Sequence, residues 1–236
     1  VATLIIPNRT AASDPFVIST IQKAEALWIA GGDQSDYINY WKGTPVETEI
    51  QNVINRHAPI GGTSAGMNVL SQFLYSALAS QGVTSSQALA DPFNRYITLD
   101  ENFVTIASLQ GLIDDPHFVT RDRMGRDLAF MCRVDLNGWS SAPRDIAIDE
   151  QTALLIDATG NGTVVGSSTI YFMQAPGTPQ LCQAKTPLTY QNIAVYRIMA
   201  GGTFNLTKWQ GTGGVAYAVS ATNGVLNSTQ AGGSIY

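Results

Sequence analysis

"PIGGTSAGMNVLS", residues 59–71, sets a serine between glycines two positions away on either side, after one short apolar run and before another. Gly62-Thr63-Ser64-Ala65-Gly66 fits G-x-S-x-G. In that pattern a strand turns sharply into a helix and the serine takes strained backbone angles at the tip. The small flanking residues let strand and helix approach closely. The helix points its N-terminus at the serine, where the N–H of Ala65 can stabilise an oxyanion. The competing reading is a βα turn whose small residues serve packing alone. Both predict a short strand over "APIGGTS" and a helix over "AGMNVLSQFLYSAL".

Upstream, the pattern repeats. "TLIIP" reads as a buried strand ending at Pro7, and Asp14-Pro15 as the N-cap and first position of a helix. "EALWIAGGDQ" reads as a second strand running into a Gly-Gly turn. Val46, Ile50, Val53, Ile54 and His57 follow helical spacing. Strand and helix in alternation predict an α/β fold with a mostly parallel sheet and helices on both faces. Downstream, "GTVVGSSTIYFMQ", "LTYQNIAVYRIMAGGTFNL" and "GVAYAVSA" alternate between turn residues and read as strands and hairpins, with Asn161-Gly162 as a hairpin turn. The organisation expected is a single domain over residues 1–236, α/β through residue 160 and β-rich over 161–236.

At 44% hydrophobic residues, with no apolar run of membrane-spanning length, the chain is of globular type. The net charge is −5 and there is no basic block, which argues against nucleic acid or an anionic membrane as the main partner. Cys132 and Cys182 have no CxxC spacing and no neighbouring His, so no metal site is expected. They are either a disulfide or two buried thiols. Four N-x-S/T sequons, at Asn8, Asn161, Asn205 and Asn227, favour a secreted glycoprotein over a cytoplasmic protein.

A nucleophilic serine needs a base, and the chain has only two histidines. His57 closes an amphipathic helix, where the helix dipole favours it. His117 stands in "LIDDPHFVTRDRMGRDL", a dense charged cluster in a charge-poor chain, followed by Arg121, Arg123 and Arg126. Arginine forks suit carboxylate ligands; the plainer reading pairs them with Asp122 and Asp127 on a solvated helix. Asp114, Asp115, Asp149 and Glu150 are candidate acids to orient the histidine. The order Ser, His, Glu150 spaces a triad evenly, whereas the Ser, acid, His order of α/β-hydrolases fits poorly.

These segments resemble cyanophycinases and the wider group of aspartyl-dipeptidase-like serine peptidases, peptidase family S51. "AEALWIAGGDQSDYINYWKGTPV" is similar to the family's strand ending in a GG-N/D-Q turn, and "PIGGTSAGM" to its nucleophile elbow. "DDPHFVTRDRMGR" is similar to its D-x-H-F-x-x-R-x-R-x-x-R segment, and "IAIDEQTALLI" to its I-D-E-x-T-A strand. The resemblance implies a class I glutamine amidotransferase-like, flavodoxin-like arrangement. It implies Ser64 as nucleophile, His117 as general base and Glu150 as orienting acid. The oxyanion donors would be Ala65 and the turn at Gly32 and Asp33. Gln34, Asp115, Arg121, Arg123 and Arg126 would line the substrate pocket. The implied substrate is an aspartyl peptide, with a β-aspartyl-arginine unit in cyanophycinase itself, and no cofactor is implied.

Two departures from the family's pattern shape the expectations. Pro116 stands where the family has Gln, which bears on substrate specificity. The family's first strand-helix-strand segment has no counterpart here, which predicts an exposed sheet edge. The partners expected at such an edge are a cleaved N-terminal fragment of the same precursor or a second copy, as a homodimer. The alternatives to a serine hydrolase are a catalytically inactive binding or storage glycoprotein and an amidotransferase-like protein; amidotransferases generally carry Cys at the elbow.

Overall fold

Asp14 caps the first helix as its sequence predicts. A computed structural model describes residues 1–236, and in it the Asp14 carboxylate accepts the Phe16 N–H at 2.7 Å, with Pro15 opening α1 (Pro15–Gln22). Val46, Ile50 and Val53 bury one side of α3 (Pro45–Asn55), while His57 lies beyond the helix in an exposed left-handed turn, φ 61°. β1 (Leu27–Ile29) and β2 (Ile60–Gly62) pair in parallel, and α2 (Gln34–Trp41) follows the Gly-Gly turn. No strand pairs with the other edge of β1, where Trp28 is 65% exposed.

"TLIIP" is not a strand. Leu4 and Ile6 pack against the core and Ile5 faces solvent, so the side chains alternate, but no neighbouring strand takes up the backbone hydrogen bonds. The helix expected after Ser64 is also shorter than its sequence suggests. α4 is one turn, Ala65–Asn68, and the chain then forms β3 (Phe73–Tyr75), antiparallel to β4 (Leu99–Glu101). Phe73, Leu74 and Tyr75 are all buried, and periodicity does not separate such a strand from buried helix. Side chains of Asn68 and Ser71 bond Asp114, which holds this segment against the sheet.

The main sheet has eight strands, with β12-β11-β10-β9-β6-β5 in order and β7 and β8 joined to it through β10. They are β5 (Leu112–Pro116), β6 (Arg144–Ile148), β7 (Thr152–Ile156), β8 (Asn161–Gly166), β9 (Thr169–Gln174), β10 (Tyr190–Asn205), β11 (Gln210–Thr222) and β12 (Val225–Ser228). The expectation of a mostly parallel sheet is corrected here. β5 and β6 are its one parallel pair, with α6 (Met124–Leu136) crossing between them. From β7 onward the strands follow one another through turns and a loop rather than crossover helices, and such connections give antiparallel pairs.

Helices do cover both faces, and the strand period of two sorts the residues. Ile113, Ala147, Tyr171 and Met173 pack with α6 and α5 (Ser85–Ala90); Leu112, Ile146, Ile170 and Phe172 pack with α1 and α3. The β7–β8 hairpin turns at Asp157–Gly160, four residues earlier than the Asn161-Gly162 reading. Asp157 accepts the N–H groups of Thr159 and Asn161, and Gly160 supplies φ 79°. Asn161 and Gly162 instead begin β8.

Cys132 on α6 is disulfide-bonded to Cys182 in the β9–β10 loop, closing a separation of 50 residues. Closing a loop of that size restricts the unfolded chain by roughly 4 kcal/mol in the chain-entropy model. Asn8, Asn161 and Asn227 are exposed, and the half-buried Asn205 donates its amide to Asn161 across β8 and β10 at 2.6 Å. No helix is long and apolar enough to cross a membrane.

Candidate active site

Ser64 sits between β2 and α4 at φ 51° and ψ −123°, a region that residues with a side chain rarely occupy. Its neighbours explain how that geometry is held. A Cβ on Gly62 would lie 2.2 Å from the Gly66 carbonyl oxygen, and one on Gly66 would lie 2.2 Å from the Ile29 carbonyl oxygen. The glycines let α4 press directly on β1 and β2, and that close packing fixes the strained serine. The packing reading and the elbow reading of residues 62–66 are therefore one device.

His117 follows β5 and is itself left-handed, φ 53°. Its Nε2 lies 2.8 Å from Ser64 Oγ, and its Nδ1 lies 2.7 Å from Glu150 Oε1. Glu150 stands in the turn after β6, the parallel neighbour of β5, so adjacent strand ends deliver base and acid to one place. The Glu150 side chain is 44% exposed and that of His117 20%, so the outer hydrogen bond is open to water.

Of the four carboxylates weighed as the orienting acid, Glu150 is the one that reaches His117. Asp149 instead accepts from the N–H and hydroxyl of Thr120 and from Ser168, and these bonds, working against burial, hold its carboxyl below the ordinary range. It ties the loop carrying His117 to the turn carrying Glu150. Asp114 is buried beneath α4, accepting from Ser71 at 2.6 Å; burial pushes its carboxyl up to about 8.

Asp115 is fully buried and its oxygens are taken by two arginines. Arg123 Nη1 donates to it at 2.8 Å, Arg126 Nε at 2.6 Å, and Arg126 Nη2 donates as well. Burial alone would raise this carboxyl; the charges of Arg126 and Arg123 outweigh it and hold it below its ordinary value. The Arg126 guanidinium also lies against the stacked pair of Tyr75 and Phe130, 5.1 and 5.4 Å from their ring centroids. Beneath lie Asp127 and Asp145, both buried with no hydrogen-bond donor, their carboxyls raised by burial and by neighbouring acids. Asp115 is thus a foundation for the arginines and is not part of the cleft lining, where the family resemblance places it.

The cleft beside Ser64 has a volume of about 230 Å³. Arg121, Arg123, Arg126, Gln34, Asp33 and Gly32 line it together with Ser64, Ala65, Asn68 and Tyr75. Arg121 is exposed and forms no ion pair, so its guanidinium is free for a ligand. The backbone N–H groups of Gly32, Asp33 and Ala65 have no acceptor within the chain. Asp33 caps α2 by accepting the Ser35 N–H, and Gln34 donates to the Tyr75 carbonyl at 3.1 Å. Charged donors on one side and unpaired backbone N–H groups beside a serine suit an anionic ligand and a developing oxyanion.

The model of a family described as peptidase family S51 matches residues 5–162. The chain belongs to peptidase family S51. The S51 match spans the elbow, His117 and Glu150 and ends in β8, before β9–β12. The crystal structure of a peptidase from an acI-B1 Actinobacterium is similar in fold, with a TM-score of 0.56 and 20% identity. The similarity covers 85% of this chain and 67% of that one.

Three residues in or against the site lie outside the candidates that the sequence offers. Tyr75 falls in the stretch whose pattern predicts a helix, and its place against Arg126 depends on β3. Asn68 stands one turn after Ser64, a spacing that would have found it. Tyr236 is remote in sequence yet donates to Asp122 at 2.8 Å.

Proposed function

We propose that this S51 member is a serine peptidase that opens aspartyl or β-aspartyl bonds through Ser64, His117 and Glu150. The observation that carries the reading is the hydrogen-bonded chain from Ser64 Oγ through His117 to Glu150, at 2.8 and 2.7 Å, on a serine at φ 51°. His117 Nε2 takes the Ser64 proton as Oγ attacks the scissile carbonyl. Glu150 holds the ring with Nδ1–H toward it and balances the imidazolium. The oxyanion is met by N–H groups of Ala65 and of the Gly32-Asp33 turn. His117 then protonates the leaving amine, and a water it deprotonates releases the acyl group.

Arg121 supplies the free charge for the substrate's aspartyl carboxylate, and Arg123 and Arg126 a fixed positive wall. The expected arginyl half of the substrate loses its acid, because Asp115 is consumed by Arg123 and Arg126. A plain aspartyl peptide therefore fits better than β-aspartyl-arginine. The Cys132–Cys182 bond and the exposed sequons at Asn8, Asn161 and Asn227 support action in an oxidising, extracellular compartment.

The test is turnover of aspartyl, β-aspartyl and alanyl dipeptides by the wild type, Ser64→Ala and Arg121→Ala. The reading predicts preference for the acidic dipeptides, loss of turnover in S64A, and KM raised about tenfold or more in R121A. Equal rates on acidic and neutral dipeptides would contradict the substrate class. Turnover that survives in S64A would contradict the mechanism.

A further inference from the structure

The loop from His117 to Arg123 carries the proposed base and two of the cleft's three arginines, and its backbone is left-handed at both ends, φ 53° at His117 and φ 49° at Asp122. Strained conformations persist only where the surroundings over-determine them. Asp149 grips the loop's middle through Thr120. Its far end is gripped from outside the S51 match. The Tyr236 hydroxyl accepts the Met124 N–H at 3.0 Å and donates to Asp122 Oδ1 at 2.8 Å. The Tyr236 ring packs edge-on against Phe118, the residue after His117, at 5.5 Å, and against Tyr171 at 6.1 Å. Tyr217 holds the segment in place by donating to the Ile235 carbonyl at 3.0 Å.

We propose that Tyr236 is a positioning residue of the active site, its hydroxyl setting Arg121 and Arg123 through Asp122 and Met124, and its ring setting His117 through Phe118. The inference rests on the proposed roles of His117 and the arginines. The two halves of one side chain thus act on two functions. The hydroxyl bonds to residues flanking Arg123, so its loss falls on substrate binding. The ring presses on the residue after the base, so its loss falls on proton transfer.

Tyr236→Phe and Tyr236→Ala separate the two. With an aspartyl dipeptide, Y236F raises KM about tenfold while kcat stays within about twofold; Y236A adds a fall in kcat of about tenfold. A second readout does not depend on turnover. The carbon-bound Hε1 proton of His117 does not exchange with water and gives a ring resonance that reports the imidazole's place between Ser64 and Glu150, assigned by its persistence in a His57→Gln background. That resonance keeps its position in Y236F and shifts or broadens in Y236A. Wild-type KM, kcat and resonance in both variants would overturn the proposal, as would an equal fall in kcat in both without a change in KM. If Y236A does not fold, the Y236F and Asp122→Asn double-mutant cycle on KM decides: non-additive effects support the clamp, and additive ones overturn it. A wild type that turns over no dipeptide removes the proposed function, and the His117 resonance still tests the clamp.

Discussion

One wall of the cleft is made of backbone and the other of buried charge. On the Ser64 side, Gly62 and Gly66 leave no room for a methyl group, and the strained serine is held by main-chain contact with β1 and β2. On the arginine side, Arg126 is 4% exposed and held by Asp115 and by two aromatic rings, with Asp127 and Asp145 beneath it. The first wall is rigid because atoms are in contact; it is indifferent to pH and intolerant of volume. The second is rigid because charges are matched in a dry layer; it tolerates a change of shape better than the loss of a charge. Nucleophile geometry and ligand charge are thereby set by separate physics.

Gly66→Ala breaks the first wall most severely. Its Cβ would fall 2.2 Å from the Ile29 oxygen and 2.6 Å from the Ala30 oxygen, both backbone atoms. A loss of about 4 kcal/mol or more is expected, read as failure to fold or a collapsed denaturation midpoint. Wild-type stability would mean that the elbow is not under contact.

Asp115→Asn breaks the second wall. It leaves Arg126 buried with no counter-charge, which costs about 3–5 kcal/mol in urea unfolding, and it loosens the arginines, raising KM for acidic substrates. A variant as stable as the wild type would show that Asp127 or Asp145 ionises in its place.

Glu150→Gln tests the most exposed member of the proposed triad. Water can take over part of its role, so kcat is expected to fall about a hundredfold, less than the roughly ten-thousandfold loss at a buried triad acid. A loss as large as that of a buried acid would mean that solvent does not reach the bond.

The smallest effect is a pH slope. The Asp114 carboxyl is raised by burial to about 8 in the folded protein, above its ordinary unfolded value of about 4. Between those values the folded state holds more protons, so stability is highest at the acid end of the window and falls as pH rises toward 8. Asp114→Asn removes this share and makes the decline shallower; Asp127 and Asp145, also raised by burial, keep a decline of the same sign. An unchanged slope in denaturant melts from pH 5 to 8 would show that Asp114 does not carry its proton.

Much of the proposed site was legible because the candidates were few. Two histidines, one G-x-S-x-G and four candidate acids left a short choice, and the α/β character followed from the alternation of apolar runs. The role of Asp115 was not legible. A carboxylate beside three arginines reads the same whether it faces the ligand or is sealed under the arginines, and only burial distinguishes the two. The joining of the hairpins to the α/β strands in one sheet was hidden as well, since β6 pairs with β9 and β8 with β10 across intervening segments. The short α4 was hidden because Phe73-Leu74-Tyr75 is apolar on every side. Tyr236 lay beyond any motif, in the part of the chain that the S51 match does not reach.

The most direct measurement is the rate at which a fluorophosphonate labels the protein, with the modified residue mapped by peptide mass. Activation of Ser64 by His117 predicts a single label on Ser64, slowed at least a hundredfold in His117→Ala by loss of the base. No label on Ser64 in the folded wild type, or an equal rate in the His117 variant, would contradict an activated serine at the elbow.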